Sequence, residues 1–338
     1  MEKIRIGVIG LGFGQYHVQT LANHPDYQLV AVADRANAWT DTIQIYAQGY
    51  GATGYRDALE MIENEQLDAI SICTSPRYRP ELIETLARRG IPMFVEKPWA
   101  STAQQAQQLA SVCEQHNATV MVGFSFRFHN VVQTLRDLMD KTLGEGWILN
   151  GEYLFGWIPD TDNWLWHPEN GNGFFNENSC HLLDVVCYLM GKPISVFAEG
   201  VNYHNSPSSE GASVTIRFES GGVASLMIGG LGTSAHQDYP RINIITANGQ
   251  AQLQGRNHYW ESLTWATREN SALNKIESLP EALGNTRYTA AFTHFADCIR
   301  HNEVPSATIQ DGFVSVALAE AIYESIETGK RVTIPEEA

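Results

Sequence analysis

Short runs of apolar residues recur along the first third of the chain: Ile4 to Ile9, Leu29 to Ala33, Ala69 to Cys73, Met93 to Val95 and Thr119 to Val122. A short run that is apolar throughout is the pattern of a strand buried on both faces, as in a parallel sheet. Between these runs, Glu81 to Arg89 and Ala103 to Gln115 repeat their apolar positions at helical spacing, and Gly90 stands where a helix C-cap belongs. Strand and helix in alternation predict a doubly wound α/β sheet over residues 1–122. From residue 123 the texture changes. Ala212 to Phe218 and Val223 to Ile228 alternate about the turn Glu219-Ser220-Gly221-Gly222, and Arg241 to Thr246 and Ala251 to Leu253 flank Ala247-Asn248-Gly249-Gln250, so two hairpins and an antiparallel sheet are expected in residues 123–338. Helical periodicity returns from Tyr288 to Arg300 and from Gly312 to Thr328, where Gly329 can end the helix; these segments are expected to close over one sheet or brace the domains. No internal repeat is present, and Gln104 to Gln108 reads as a solvated helix face.

A chain of 338 residues exceeds what one core usually fills, which agrees with two domains. No segment approaches the ~20 apolar residues of a membrane span, so no membrane role is expected. The formal charge of −16, without a compensating run of Lys and Arg, argues against nucleic acid as a partner. Five scattered cysteines (Cys73, Cys113, Cys180, Cys187, Cys298) with no C-x-x-C spacing argue against a disulfide frame or a zinc knuckle and read as reduced, cytoplasmic thiols. Met1-Glu2-Lys3 leads straight into the first strand, with no signal-peptide pattern.

The first candidate chemistry lies in Gly7-Val8-Ile9-Gly10-Leu11-Gly12-Phe13-Gly14-Gln15, which leaves a strand and enters a helix. Gly10, Gly12, Phe13 and Gly14 are therefore candidates to cradle a diphosphate with backbone amides at a helix N-terminus. The loop departs from G-x-G-x-x-G, since the third glycine sits at Gly14 and Gln15 holds the expected position, which leaves helix packing there open. The second strand ends at Asp34, twenty residues past Gly14, where a carboxylate can take the ribose diol of an adenosine. Asp34 would repel a 2′-phosphate and Arg35 would offset that repulsion, so NAD is the expected cofactor and NADP the alternative. A turn and strand-end acid that serve only tight turning are the competing structural reading.

The fifth strand delivers Glu96-Lys97-Pro98, and here the sequence resembles the glucose-fructose oxidoreductase, inositol dehydrogenase and rhizopine catabolism (Gfo/Idh/MocA) family. The resemblance continues through Gly123-Phe124-Ser125-Phe126-Arg127-Phe128, through Gly171-Asn172-Gly173 to His181-Leu182-Leu183-Asp184, and through Thr215 to Gly222 and Ala317 to Gly329. It implies an N-terminal Rossmann domain and a C-terminal α/β domain with a large, mostly antiparallel sheet that often serves oligomerisation, hence a homo-oligomer, dimer or tetramer. It also implies NAD(P)-dependent oxidation of a small-molecule sugar or polyol, with Thr74, Ser75, Glu96 and Lys97 beside the cofactor. The loop Cys73 to Arg79, which in the family often carries a histidine, here holds Arg77 and Arg79; they are read as partners of an anionic group or as solvated.

Lys97 ends a parallel strand, at the edge where such sheets bind ligands, and precedes a proline that restricts it to extended backbone. Its ammonium can hydrogen-bond a reacting hydroxyl and stabilise developing alkoxide. A helix beginning near Glu177 is expected to set Glu177, His181, Asp184 and Tyr188 on one face. His181 is the expected general base, with Lys97 as alternative, and Glu177 one turn earlier, where the family commonly has Asp, contacts substrate or orients His181. Asp184 is read equally as holding His181 or as capping a neighbouring element. Glu177 and His181 have i, i+4 metal-ligand spacing, but neither H-E-x-x-H nor clustered cysteines appear, and no metal is expected. Trp164 and Trp166, just before the glycine run, and Arg127 complete the candidate substrate contacts, against a reading of the tryptophans as core. A glycoside-cleaving member that keeps its nicotinamide, and a sensor that binds dinucleotide without turnover, are the alternatives to a dehydrogenase.

Overall fold

The computed structural model describes residues 2–35, 40–278 and 286–336; Met1, expected just before the first strand, lies outside them. Two compact units emerge: Met1–Ala100 with Gln104–Gly123 and Tyr288–Gly312, and Ser101–Ala103 with Phe124–Arg287 and Phe313–Ala338. The units are thus discontinuous in sequence, with Tyr288–Gly312 in the first and Ser101–Ala103 in the second.

The first unit alternates β1 (Ile4–Ile9), α1 (Leu11–Asn23), β2 (Tyr27–Ala33), α2 (Thr40–Tyr50), β3 (Thr53–Tyr55), α3 (Ala58–Asn64), β4 (Ala69–Ile72), α4 (Arg79–Arg89), β5 (Met93–Val95), α5 (Ala103–Gln115) and β6 (Val120–Val122). The strands form one parallel sheet in the order β3-β2-β1-β4-β5-β6. β4, β5 and β6 are buried at every position, which is why their sequences read as apolar runs interrupted only by Ser71. The strand order runs outward in opposite directions from β1 and β4, and the crevice outside the carboxyl ends at that switch point is where such sheets take ligands. α4 ends at Gly90, whose φ of 66° is the left-handed conformation a glycine C-cap supplies.

The second unit contains α6 (Asn130–Leu138), β7 (Gly146–Leu154), α7 (Cys180–Met190), β8 (Pro193–Val201), β9 (Gly211–Phe218), β10 (Val223–Gly229), β11 (Arg241–Thr246), β12 (Gly249–Arg256), β13 (Tyr259–Thr267) and β14 (Asn274–Glu277). With the C-terminal β15 (Val332–Thr333) they build a nine-stranded sheet, β14-β13-β12-β11-β7-β10-β9-β8-β15. Both expected hairpins, β9–β10 and β11–β12, are present and antiparallel. The pairing of β7 with β10 is parallel, so the sheet is mixed but mostly antiparallel. Along β12 buried and exposed positions alternate strictly, the sign of a sheet with one face packed and one open.

Two helices close the chain, α8 (Thr286–His301) and α9 (Ile309–Thr328). α8 packs on the first unit's sheet: Tyr27 Oη donates to the Phe292 carbonyl at 2.8 Å, the Phe94 and Phe292 rings lie 4.5 Å apart, and Arg300 pairs with Asp26 at 2.6 Å. Beyond it, the Ala307 carbonyl accepts the Val122 amide of the edge strand at 2.9 Å. α9 ends at Gly329, whose φ is 63° and whose amide bonds the Ser325 carbonyl.

Candidate functional site

The turn from β1 into α1 is shaped by its glycines, each for a different reason. Gly10 has a φ of 89°, and a Cβ there would stand 2.9 Å from the Cys73 carbonyl carbon, so the loop after β4 presses directly on it. Gly14 brings α1 against the sheet: its Cβ would meet Cys73 Cβ at 3.2 Å and Val8 Cγ1 at 3.3 Å. The close helix packing left open in the sequence is thus supplied one position early, by Gly14. A Cβ on Gly12 would meet nothing within 4 Å. Open space over Gly12 at a helix N-terminus fits a pyrophosphate approaching the backbone. Phe13 is exposed beside it, its ring 5.3 Å from Tyr16 and 6.0 Å from Tyr288.

Asp34 follows β2 and its carboxylate accepts the Leu11 amide at 2.6 Å, so the acid is fastened to the first turn of α1. Arg35 is exposed; its guanidinium carbon lies 5.6 Å from the centre of the Tyr78 ring, and that of Arg77 lies 4.5 Å from the same ring. Arg77 is therefore stacked on an aromatic. Arg79 meets neither reading of it as an anion partner nor as a solvated side chain: it is 2% exposed and donates to the carbonyls of Thr74 (2.6 and 2.9 Å), Pro98 and Trp99. A guanidinium with five donors suits a place where two loops present carbonyls together. Thr74 and Ser75 are half-buried between these groups, and Ser75 accepts the Tyr78 amide to start a short 3-10 turn.

Glu96 and Lys97 leave β5 at the same edge. Lys97 is half-buried, whereas Glu96 is buried and turned inward: Oε1 lies 3.0 Å from His17 Nε2 and Oε2 accepts the Lys97 amide at 3.1 Å. His17, which sequence reasoning missed, sits on the packed face of α1 with Gly14, Val18 and Leu21. Its sequence signal is a lone histidine on an apolar helix face; its partner lies 79 residues away and has no local pattern.

In the second unit, Gly171 and Gly173 permit close approaches. A Cβ on Gly171 would stand 2.6 Å from the Leu165 carbonyl oxygen, and Gly173, with a φ of 93°, lies against the Tyr323 hydroxyl, which also accepts the Phe175 amide at 3.1 Å. Asn172 and Asn176, also missed, fasten the segment by donating to the carbonyls of Ser101 (2.7 Å) and Gly171 (2.9 Å). Glu177 lies in a widened π-type turn, Phe175–Ser179, and α7 begins only at Cys180. Glu177 and His181 are both half-buried, and the His181 ring stacks on Phe126 at 4.6 Å and 19°.

The expected face of Glu177, His181, Asp184 and Tyr188 needs correcting at Asp184. That carboxylate is buried and takes Arg127 in a two-pronged pair, 2.8 Å to Nε and 2.6 Å to Nη2, because the buried guanidinium requires a counter-charge. Arg127, expected at the substrate, is 3% exposed and carries Tyr188 at 4.8 Å from its guanidinium carbon. Of the two tryptophans, Trp164 is exposed and Trp166 is buried, with its indole N–H on the Asp160 carbonyl at 3.1 Å. No group of three or more His, Cys, Asp or Glu able to hold a metal ion occurs among the described residues.

A glycine turn between β1 and α1, an acid after β2 and a lysine after β5 on one switch-point sheet define a nucleotide-binding unit of the Rossmann type, here joined to a mixed-sheet α/β unit. Residues 4–124 match the family model described as "Oxidoreductase family, NAD-binding Rossmann fold" and residues 143–334 its "C-terminal alpha/beta domain"; the chain belongs to the Gfo/Idh/MocA family of oxidoreductases. It is 25% identical to the inositol 2-dehydrogenase of Rhizobium meliloti, over 98% of this chain and 99% of that one. It is 23% identical to the D-apiose dehydrogenase of Paraburkholderia graminis, over 99% and 90%. Among solved structures, levoglucosan dehydrogenase in complex with NADH and L-sorbose superposes with a TM-score of 0.86 at 19% identity, covering 99% of this chain and all of that one.

Proposed function

We propose that this oxidoreductase is an NAD-linked dehydrogenase of a sugar, polyol or related hydroxy compound. The observation that carries the proposal is the single carboxyl edge of the first sheet, where open backbone at Gly12, the α1-bound carboxylate of Asp34 and Lys97 follow β1, β2 and β5. The first-turn amides of α1 take the pyrophosphate, and Asp34 takes the adenosine diol and disfavours a 2′-phosphate, which sets NAD ahead of NADP despite Arg35. A bound nicotinamide supplies the hydride acceptor. Lys97 donates a hydrogen bond to the reacting hydroxyl and stabilises the alkoxide that develops on it. His181 accepts the hydroxyl proton, and Glu177 binds a neighbouring hydroxyl or orients that imidazole. Exposed Trp164 offers an apolar face to sugar C–H groups, whereas Trp166 serves the core. Relatives named for inositol and apiose support this substrate class.

Two further expectations accompany this reading. The protein is expected to act in the cytoplasm with its five cysteines reduced. The open sheet face, where Ile148 is 59% and Met227 42% exposed, is the surface for self-association into a dimer or tetramer.

Incubation with NAD and a panel of polyols, followed by reduced-nicotinamide absorbance, tests the reaction. Steady reduction is expected. Glycoside cleavage without net cofactor consumption, or tight NAD binding without chemistry, would refute the dehydrogenase in favour of the other two classes. Lys97→Ala is expected to remove all but a small residual turnover and leave NAD affinity nearly intact; a folded variant that has lost NAD binding would overturn that division of roles.

A further inference from the structure

The first unit buries a titratable group that the proposed reaction does not use. His17 is wholly buried, its ring enclosed by Phe94, Phe292 and Tyr288 at centroid distances of 5.4, 5.2 and 5.1 Å. Nδ1 lies 2.8 Å from Ser71 Oγ and 3.4 Å from Cys73 Sγ, while Nε2 faces Glu96 Oε1 at 3.0 Å. A ring protonated on both nitrogens donates to both sides at once. Burial alone would favour the neutral ring, but Cys73 and Glu96 outweigh it and push the imidazole up to about 10. Glu96 is held as closely. A Cβ on Gly123 would stand 2.9 Å from its Oε1 and 3.0 Å from its Cα, so the neighbouring strand end packs flat against it. The second carboxylate oxygen holds the Lys97 amide at 3.1 Å, and beyond Lys97 the Pro98 and Trp99 carbonyls are tied by Arg79.

We propose that His17 is a positioning residue for Lys97 and acts through Glu96: the imidazolium fixes one carboxylate oxygen inside the unit and so presents the other to the Lys97 N–H. The inference rests on the reading of Lys97 as the residue that meets the substrate hydroxyl. Without the cation, the Glu96 carboxylate is a buried charge lacking its partner, and it must turn outward. That turn frees the Lys97 peptide, and a misplacement of about 1 Å at a reacting group costs on the order of 100-fold in rate.

Three measurements on His17→Gln test this: amide exchange at Lys97 by mass spectrometry, NADH binding by fluorescence, and turnover. The expected result is faster Lys97 exchange and a kcat lower by about 10- to 100-fold, with the NADH Kd unchanged. Adding Glu96→Gln is expected to recover most of the rate, because the uncompensated charge disappears while the amide oxygen can still accept the Lys97 N–H. In a Lys97→Ala background, His17→Gln is expected to lower the residual rate no further. Lys97 protection equal to wild type in a folded variant, or an equal rate loss in the Lys97→Ala background, overturns the proposal. Should His17→Gln not fold, Glu96→Ala removes carboxylate and charge together and must show the same exchange and kcat changes. If Lys97→Ala turns over at the wild-type rate, the catalytic reading of Lys97 falls; faster Lys97 exchange in His17→Gln then still upholds the positioning of its peptide, so the two failures are read in different experiments.

Discussion

Each unit buries an ion pair beside its candidate residues, and the two pairs are built differently. In the second unit Arg127 and Asp184 meet through two hydrogen bonds, with side chains 3% and 1% exposed. In the first, His17 and Glu96 share one contact, with side chains 0% and 4% exposed, and the second carboxylate oxygen serves the Lys97 backbone. The bidentate pair is a fixed brace between α7 and the segment before α6, since a guanidinium does not titrate. The single-contact pair carries a removable proton and reaches onward to a candidate catalytic residue. Burial of an ion pair therefore does not identify its role; the number of oxygens it leaves for other work does.

The largest expected effect breaks the brace. Asp184→Ala leaves a buried guanidinium without its counter-charge and is expected to destabilise the protein by about 3–5 kcal/mol, measured by denaturant unfolding; a loss below about 1 kcal/mol would make this pair no stronger than a surface one. Next comes pH. His17 is raised in the folded state, so its contribution is fully present below its ordinary value of 6.5 and is lost as pH rises through about 10. Unfolding free energy should fall by on the order of 5 kcal/mol across that window, and His17→Gln should flatten the slope; the same slope in the variant would assign it to other groups.

A third buried carboxylate sharpens the contrast, because a hydroxyl, an imidazole and two backbone amides share it. Glu210 accepts from Ser206 Oγ at 2.7 Å, from the His204 ring at 2.9 Å and from the Tyr203 and His204 amides at 3.0 Å each. Burial alone would push its pKa up, but these bonds prevail and hold the pKa at about 2. A depressed carboxyl stabilises above its ordinary value of 4.5 and loses that contribution as pH falls through about 2. Glu210→Gln is expected to cost roughly 2 kcal/mol at pH 7, with variant and wild type converging near the acid end; a constant difference down to that pH would refute the assignment. The smallest effects concern the glycine turn. Gly10→Ala, with its positive φ and the Cys73 backbone against it, should cost about 1–2 kcal/mol of stability. Gly12→Ala should leave Tm unchanged and weaken NADH binding alone, as titrated by fluorescence; a lowered Tm would show that Gly12 serves the fold.

The buried strands of the first unit were legible because a parallel strand covered on both faces writes itself as an apolar run. β1 and β5 fall where the runs do, whereas β3, three residues at the sheet edge with two of them exposed, left no such mark. The hairpins announced themselves through their glycine turns. The parallel contact of β7 with β10 did not, since partners 75 residues apart share no local signal. At the candidate site the pattern is similar. Gly10, Asp34 and Lys97 could be found because spacing along the chain reflects their place at strand ends. The Arg127 partner of Asp184 was not legible, because helix periodicity locates a face but cannot see the guanidinium behind it. Glu177 was expected at a regular helix start, and the π-type turn there reflects packing around Gly171, Gly173 and Tyr323 that no window of sequence contains.

Arg79 gives the loop after β4 and the end of the Glu96-Lys97-Pro98 segment one shared anchor, through the carbonyls of Thr74, Pro98 and Trp99. For protein engineering, the two loops are one transferable cassette. A graft that imports a relative's β4 loop and leaves out an arginine at this position cuts the tether of the lysine segment as well, so a change made in one loop reaches the other unless both travel with their guanidinium.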